Sequence, residues 1–433
     1  MKNYLLFIAI AFVFTTCKKT ETQKGSDQIV IGTIDSLHST ILNETRKIWV
    51  YVPPHASEKT KYPVLYLLDG DGHFDSVTGM IKQLSINGNT LTPEMIVVGI
   101  PNTDRTRDLT PTHVKIVFGD STFSKTSGGG NKFFDFIEQE LFPFIEKKYP
   151  ATSYKTFVGH SLGGLMVIDA LVKRPQLFTN YIAIDPSLWW DNQLLLKQAD
   201  SVLSKNKFDG KSLYVAVANT MDEGMDLKNV TKDTTEATLH IRSILQFATD
   251  TDSKKDNGLH FGWKYYNDDD HGSVPLIAEY DALRFLFPWY KLKGLDKFFN
   301  RTSKATPEDL IAMITAHYEN VSTHFGYPVL PPEEFINSIG YAFLSTKPDH
   351  AQSLFELNIK NYPASGNVYD SMGDSYQAKA DTIKAIELFT KAIEVGSPAT
   401  KEKLEKLKAV NDLVSECLTE TSFQQHPHYR DFV

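Results

Sequence analysis

The chain has 433 residues, which is long for a single ordinary domain, so two or three domains are the expectation. Hydrophobic residues make up 41% and charged residues 23%, the balance of a soluble globular protein. A formal net charge of −8 with no basic stripe argues against a nucleic-acid binder, and two cysteines, Cys17 and Cys417, are too few for a zinc-ligand set or a disulfide framework.

The first element is a leader. Met1-Lys2 is followed by the apolar run Tyr4 to Phe14, which is short for a bilayer span, and then by Thr15-Thr16-Cys17. A cysteine directly after a short apolar core and small residues resembles a bacterial lipoprotein signal. That resemblance implies cleavage before Cys17 and a lipid on its thiol. An ordinary export signal with an incidental cysteine is the alternative. Residues 18–27 are polar and read as a tether, and Cys417 lies in a helical pattern as a buried thiol.

Two short strands are expected at 28–33 and 36–42, and another at Arg46 to Val52, where apolar and polar residues alternate. Tyr62 to Leu68 is a continuous apolar run, as a strand buried on both faces requires. It ends in the turn Asp69-Gly70-Asp71-Gly72, and a helix is expected from Phe74 to Ile86. Glu94 to Ile100 is a second buried strand. Residues 102–123 are irregular and charged, with Arg105, Arg107 and Asp108 close together. Asn131 to Lys148 has apolar residues at helical spacing.

Next comes Tyr154 to Val172, YKTFVGHSLGGLMVIDALV. An apolar strand leads into Gly159-His160-Ser161-Leu162-Gly163, and an apolar helix leads out. A serine in G-x-S-x-G on a sharp strand-to-helix turn has the setting of a nucleophile. Small neighbours let strand and helix approach, and the turn aims the Leu162 N–H where an oxyanion would form. Further on, Tyr181 to Pro186 is a strand and turn, Asn192 to Ser204 a helix, and Lys211 to Ala218 a strand. A helix is expected over Thr234 to Thr249, a strand over Trp263 to Tyr266, and a helix from Val274 to Tyr290. Strands alternating with helices over 62–290 imply a mostly parallel sheet covered on both faces, with ligands bound beyond the carboxyl ends of the strands.

A basic linker follows at 291–305, then a helix from Pro307 with capping residues Thr306 and Glu308. After Pro328 to Pro332 comes a weak internal repeat. Ile336, Ile339, Gly340 and Phe343 match Tyr369, Met372, Gly373 and Tyr376, and Ala351, Leu354, Phe355 and Ile359 match Ala385, Leu388, Phe389 and Ile393. The unit of about 34 residues resembles tetratricopeptide repeats, with an unclassified helical tail as the alternative. Two units are fewer than such a stack needs alone, so they are expected to dock on the sheet domain or on the Pro307 helix. The expected division is leader 1–16, tether 17–28, sheet domain 29–293, helical linker 294–335, repeats 336–420 and tail 421–433.

A serine nucleophile needs a base and a group to orient it, in the order serine, acid, histidine for this arrangement. Among the downstream histidines, only His271 follows a strand in a turn-rich loop. His240 falls mid-helix and His260 precedes a strand. The acid is expected after the strand ending at Ala218, where Asp222 comes first, followed by Glu223 and Asp226. Asp268 to Asp270 read as a solvated turn. The second oxyanion donor is expected after Leu68, at the Asp71 N–H.

These stretches resemble the putative-esterase family of α/β hydrolases, which includes esterase D, feruloyl and acetylxylan esterases, siderophore trilactone esterases and mycolyltransferases. The resemblance rests on Arg46 to Pro53, VLYLLDGD at 64–71, VGIPNTDRTRD at 98–108, GHSLGG at 159–164 and HGSV at 271–274. The last charged stretch and the His271 loop look most like the siderophore-esterase branch. The resemblance implies an α/β-hydrolase fold with Ser161 as nucleophile, His271 as base and Leu162 and Asp71 as oxyanion donors. It also leaves open a Ser-His pair without an acid. The expected function is a serine esterase working through an acyl-enzyme, with acyltransfer from the same site or a catalytically silent, repeat-bearing binding lipoprotein as alternatives. Arg105 and Arg107 are candidates to bind a carboxylate or catecholate. No cofactor and no metal are expected. The partners expected are a small-molecule ester, a membrane through the lipid on Cys17 only, and a protein on the helical repeats. The location expected is the bacterial cell envelope.

Overall fold

The computed structural model describes residues 28–54, 60–86, 90–117 and 119–411. The leader, Cys17, Cys417 and the tail lie outside the described residues. The first paired strands are β1 (Thr33–Ser39) and β2 (Glu44–Tyr51), antiparallel from Thr33↔Val50 to Ser39↔Glu44. One strand therefore stands where the sequence suggested two. The chain reverses at residues 40–43, where Asn43 takes φ 53° and Glu140 accepts the N–H groups of Thr40 and Ile41.

The chain continues through β3 (Tyr62–Leu68), α1 (Gly70–Ser85), β4 (Ile96–Ile100) and the single turn α2 (Arg105–Asp108). Helices α3 (Gly130–Phe136) and α4 (Phe142–Lys148) are joined by one π-helical turn at Ile137–Leu141. Then follow β5 (Ala151–His160), α5 (Leu162–Lys173), β6 (Asn180–Ile184), α6 (Trp190–Lys205) and β7 (Ser212–Ala218). The single turn α7 (Leu227–Val230), α8 (Leu239–Asp252), β8 (His260–Tyr266) and α9 (Val274–Leu286) complete the layer.

All eight strands form one sheet in the order β1-β2-β4-β3-β5-β6-β7-β8, parallel from β4 to β8. Alternation along β3 shows why it reads as uniformly apolar. Val64, Tyr66 and Leu68 face one core with α3 to α6 and α8, whereas Leu65 and Leu67 face the other with α1 and α9. The carboxyl ends of β3, β5, β6 and β8 open on one rim.

Beyond α9 the chain is helical: the single turn α10 (Asp296–Phe299), α11 (Pro307–Phe325), α12 (Glu333–Leu344), α13 (Pro348–Asn361), α14 (Gly366–Ala378) and α15 (Thr382–Glu394). The cap of α11 is a reciprocal box between Thr306 and Asp309, one residue beyond the expected Glu308. Helices α12–α13 and α14–α15 pack in the same way. Gly340 and Gly373 each face a buried phenylalanine, Phe355 and Phe389, where a Cβ would stand 2.4 Å from the ring. Helix α11 joins the two regions. Val321 and Phe325 enter the sheet-domain core, and Leu310 and Ile314 enter the helical one. Among the described residues no helix is long and apolar enough to cross a membrane.

Candidate active site

Ser161 sits between β5 and α5 with φ 60° and ψ −115°, a strained setting for a side chain of any size. The strain is held from both sides. Its N–H donates to Ile184 O at 2.9 Å, and its carbonyl accepts from Ser187 N–H at 3.0 Å. A Cβ on Gly159 would stand 2.4 Å from the Gly163 backbone, so the first glycine of the pentapeptide is sterically required. The Ser161 hydroxyl lies 3.1 Å from His271 Nε2 and 3.3 Å from Ser187 Oγ. Leu162 opens α5, so its N–H is among the first-turn donors without an intrahelical acceptor.

His271 is carried by the loop after β8. The aspartates read as a solvated turn build that loop. Asp270 accepts the N–H groups of Gly272 and Ser273 at 2.8 and 2.9 Å, Asp269 accepts the Ser273 hydroxyl, and Asp269 O accepts Asn219 N–H. His271 Nδ1 then lies 2.6 Å from Asp185 Oδ2. Asp185 follows the last residue of β6, takes φ 42°, and is fully buried. Its Oδ1 accepts Ala218 N–H at 2.9 Å, and its Oδ2 lies 2.8 Å from His240 Nε2 as well. Burial pushes its carboxyl up, but hydrogen bonds from His240, His271 and Ala218 N–H hold it well below the usual range. With Asp185 ionised, the two imidazole nitrogens facing it carry protons, which leaves His271 Nε2 to accept from Ser161 Oγ–H.

The carboxylate on His271 is thus Asp185, not Asp222. Asp222 and Glu223 are exposed on the loop after β7, and Asp226 caps α7 through Asn229 N–H. The acid arrives one strand earlier than expected, at the end of β6. His240 is displaced from its expected place too. Asp233 binds the N–H and hydroxyl of Thr235 and the hydroxyl of Thr238, so α8 starts at Leu239 instead of residue 234. His240 is therefore in the first turn, at the rim, and not mid-helix. His260 stacks on Phe285 at 4.3 Å, apart from this cluster.

Asp71 lies in the first turn of α1, which begins at Gly70 instead of Phe74. Its cap residue Asp69 is left-handed, with φ 53°, and Asp69 binds Arg105 Nε and Nη2 at 2.7 and 2.9 Å and Asn102 Nδ2 at 2.7 Å. Arg105 Nη2 also reaches His160 O at 3.3 Å, so this arginine braces the α1 turn against the elbow. Arg107 is committed elsewhere. It binds both Glu44 oxygens and Asp108, next to buried Arg46, and those contacts make it an ion-pair strut and not a free cation for substrate.

Behind His271 lies a run of titratable groups that begins with His160, the neighbour of the serine. The His160 ring is 4.5 Å from that of His271 and 6.0 Å from that of His73, and His73 Nδ1 is 3.5 Å from Glu279 Oε1. Burial, and then the nearby His271, push His160 down to about 4, so it stays neutral at pH 7. Burial pushes Glu279 up to about 8. The signal for Asp185 was present but ambiguous: a carboxylate ending an apolar strand, just before Pro186. No local pattern marked Ser187, His240 or Glu279.

Asp185, His240 and His271 bring three ligand-type atoms within 4.8 Å of one another, the one such group among the described residues. Their 2.6 and 2.8 Å separations are those of shared protons. Around a tetrahedral zinc, ligand atoms stand about 3.3 Å apart.

A parallel sheet with a serine elbow after β5 and a histidine loop after β8 defines an α/β-hydrolase-like protein. The family model described as "Putative esterase" matches residues 39–267, more than half of the chain, and the chain belongs to that family. It is similar to the ferri-bacillibactin esterase BesA of Bacillus subtilis, 31% identical over 41% of this chain and 65% of that protein. It is also similar to the siderophore triacetylfusarinine C esterase of Aspergillus fumigatus, 31% identical over 34% of this chain and 51% of that protein. The chain thus spans about half to two thirds of these relatives. Among solved structures, an IroE-like serine hydrolase from Shewanella oneidensis matches at a TM-score of 0.64 and 31% identity, over 76% of this chain and 99% of that one. An uncharacterised protein from Capnocytophaga ochracea, 17% identical at a TM-score of 0.56, shares the fold over 87% of this chain and 99% of its own.

Proposed function

We propose that this protein is a serine esterase that cleaves carboxylic esters through an acyl-enzyme on Ser161. The observation that carries the reading is the continuous line of short contacts from Ser161 Oγ to His271 to buried Asp185. Ser161 Oγ attacks the ester carbonyl carbon as His271 Nε2 takes its proton. Asp185 holds the ring and stabilises the imidazolium. The oxyanion is received by the Leu162 and Asp71 N–H groups. His271 passes the proton to the leaving alkoxide, and the acyl group stays on Ser161. Water, deprotonated by His271, then releases the acid and frees the serine.

The names of the relatives make siderophore-type esters the first natural substrates to assay. With p-nitrophenyl acetate as probe, Ser161→Ala and His271→Ala should each lose at least about 10³-fold in kcat. Asp185→Asn should lose about 10²–10⁴-fold, and Asp222→Asn should stay within about twofold. An active Ser161→Ala protein would sink the proposal, and a silent Asp185→Asn would reduce the site to a Ser-His pair.

The proposal extends to the ends of the chain. The leader exports the protein to the bacterial envelope, Cys17 carries lipid, and the two helical hairpins are tetratricopeptide-like and available to a protein partner. Metabolic labelling with a radioactive fatty acid should mark the wild type and not Cys17→Ala. Labelling of both would refute the anchor.

A further inference from the structure

We propose that His240 is a positioning residue of this site, whose Nε2–H fixes Asp185 Oδ2 in the orientation that receives His271 Nδ1–H. The inference rests on the serine-esterase reading above. Asp185 stands at a positive φ, fully buried, on a turn. Its Oδ1 has a backbone donor, Ala218 N–H, whereas among the described residues Oδ2 meets two imidazole nitrogens, His271 at 2.6 Å and His240 at 2.8 Å. The final torsion of an aspartate is broad and roughly twofold, so two fixed donors on separate oxygens define it where one would not.

The His271 donor cannot define it alone. The side chain of His271 is 42% exposed on a loop, and its ring must turn a proton from Ser161 toward a leaving group. His240 is built the other way. Its helix α8 is anchored by buried Ile241, Ile244, Leu245, Phe247 and Ala248. The two rings meet almost edge to face, 86° apart with centroids at 5.2 Å, so both can reach the same oxygen without stacking on each other. A helix anchored in the core thus orients the carboxylate, and the carboxylate orients the more exposed histidine.

The bland reading is that His240 only supplies a hydrogen bond that a buried carboxylate needs anyway. The two readings differ in what restores function. Ser161 reactivity should be followed with a fluorophosphonate, which needs no knowledge of the natural ester, beside kcat and KM on p-nitrophenyl acetate. His240→Leu should slow both labelling and kcat about tenfold, with KM within about twofold. His240→Gln, whose amide can donate from a similar position, should recover most of that loss. Imidazole added to His240→Ala should restore labelling in proportion to its concentration, which also serves if the leucine variant fails to fold.

Wild-type rates in His240→Leu would overturn the positioning role. So would equal losses in the leucine and glutamine variants together with no response to imidazole, because the role would then be filling space. If the wild type itself is not labelled at Ser161, the esterase reading fails first, and the two failures are told apart by that control.

Discussion

Glu279 is a carboxylic acid whose chemistry departs from its appearance in the sequence. It lies in the second turn of α9, nearly fully buried, with His73 as its neighbour. Burial raises its folded-state pKa to about 8 from an ordinary 4.5. A raised acid binds a proton in the folded state that the unfolded state has released. Its stability contribution is therefore complete below about pH 4.5 and is lost as pH rises through about 8. Glu279→Gln removes the titration and keeps the shape. The variant should gain on the wild type between pH 5 and pH 9, by a few kcal/mol at most, in urea unfolding at each pH. A gap that stays constant across that range would mean Glu279 is ionised when folded. At this scale part of the site is legible in the sequence alone. Ser161 and His271 were legible because their signals are local, a pentapeptide and a histidine in a loop after a strand. Asp185 was not, because a strand-ending aspartate before proline is also an ordinary turn. Only the pairing of β5 with β6, His160 beside Ile184, sets it next to the elbow.

At the scale of elements, the two helical hairpins repeat one packing device. Gly373 on α14 faces the fully buried Phe389 ring, with Cε1 2.4 Å from where a Cβ would stand. Gly373→Ala should therefore destabilise by about 1–3 kcal/mol through overpacking, despite the better helix propensity of alanine. Gly79 in α1 is the control, because nothing lies within 4 Å of its added Cβ. Gly79→Ala should stabilise by about 0.5–1 kcal/mol. Two shifts of the same sign in thermal unfolding would refute the packing account. Element boundaries were less legible than element types. Helix α8 starts five residues late because Asp233 diverts Thr234, Thr235 and Thr238 into local hydrogen bonds, and that shift is what moves His240 to the rim.

Across the whole molecule, α11 is the seam. Phe325 packs edge-on to Tyr154 at 4.9 Å and to Trp289 at 5.3 Å in the sheet-domain core, while Leu310 and Ile314 at the other end of the helix sit in the core of the hairpins. The sequence left open whether the repeats dock on the sheet domain or on the Pro307 helix. They rest on the helix, and the helix rests on the sheet domain. The alternating order of strands and helices was legible as a covered parallel sheet, because both faces of each central strand must be apolar. The docking was not, since it depends on which side of one amphipathic helix meets which neighbour.

The placement of Asp185 has a consequence for how this chain can diverge. The elbow and the carboxylate on His271 both hang from β5 and β6, which are adjacent, register-locked strands. The loop after β7 is tied to the His271 loop through its first residue, Asn219, whose N–H and Nδ2 reach Asp269 O and Asn267 O. Beyond that tie, most of residues 221–229 face solvent. With His271 held by Asp185 instead, that stretch can accept insertions, deletions and new side chains at the mouth of the rim without disturbing the contacts among Ser161, His271 and Asp185. On the esterase proposal, natural variation in the esters accepted should collect there, and laboratory selection for a new ester has the same segment to work on.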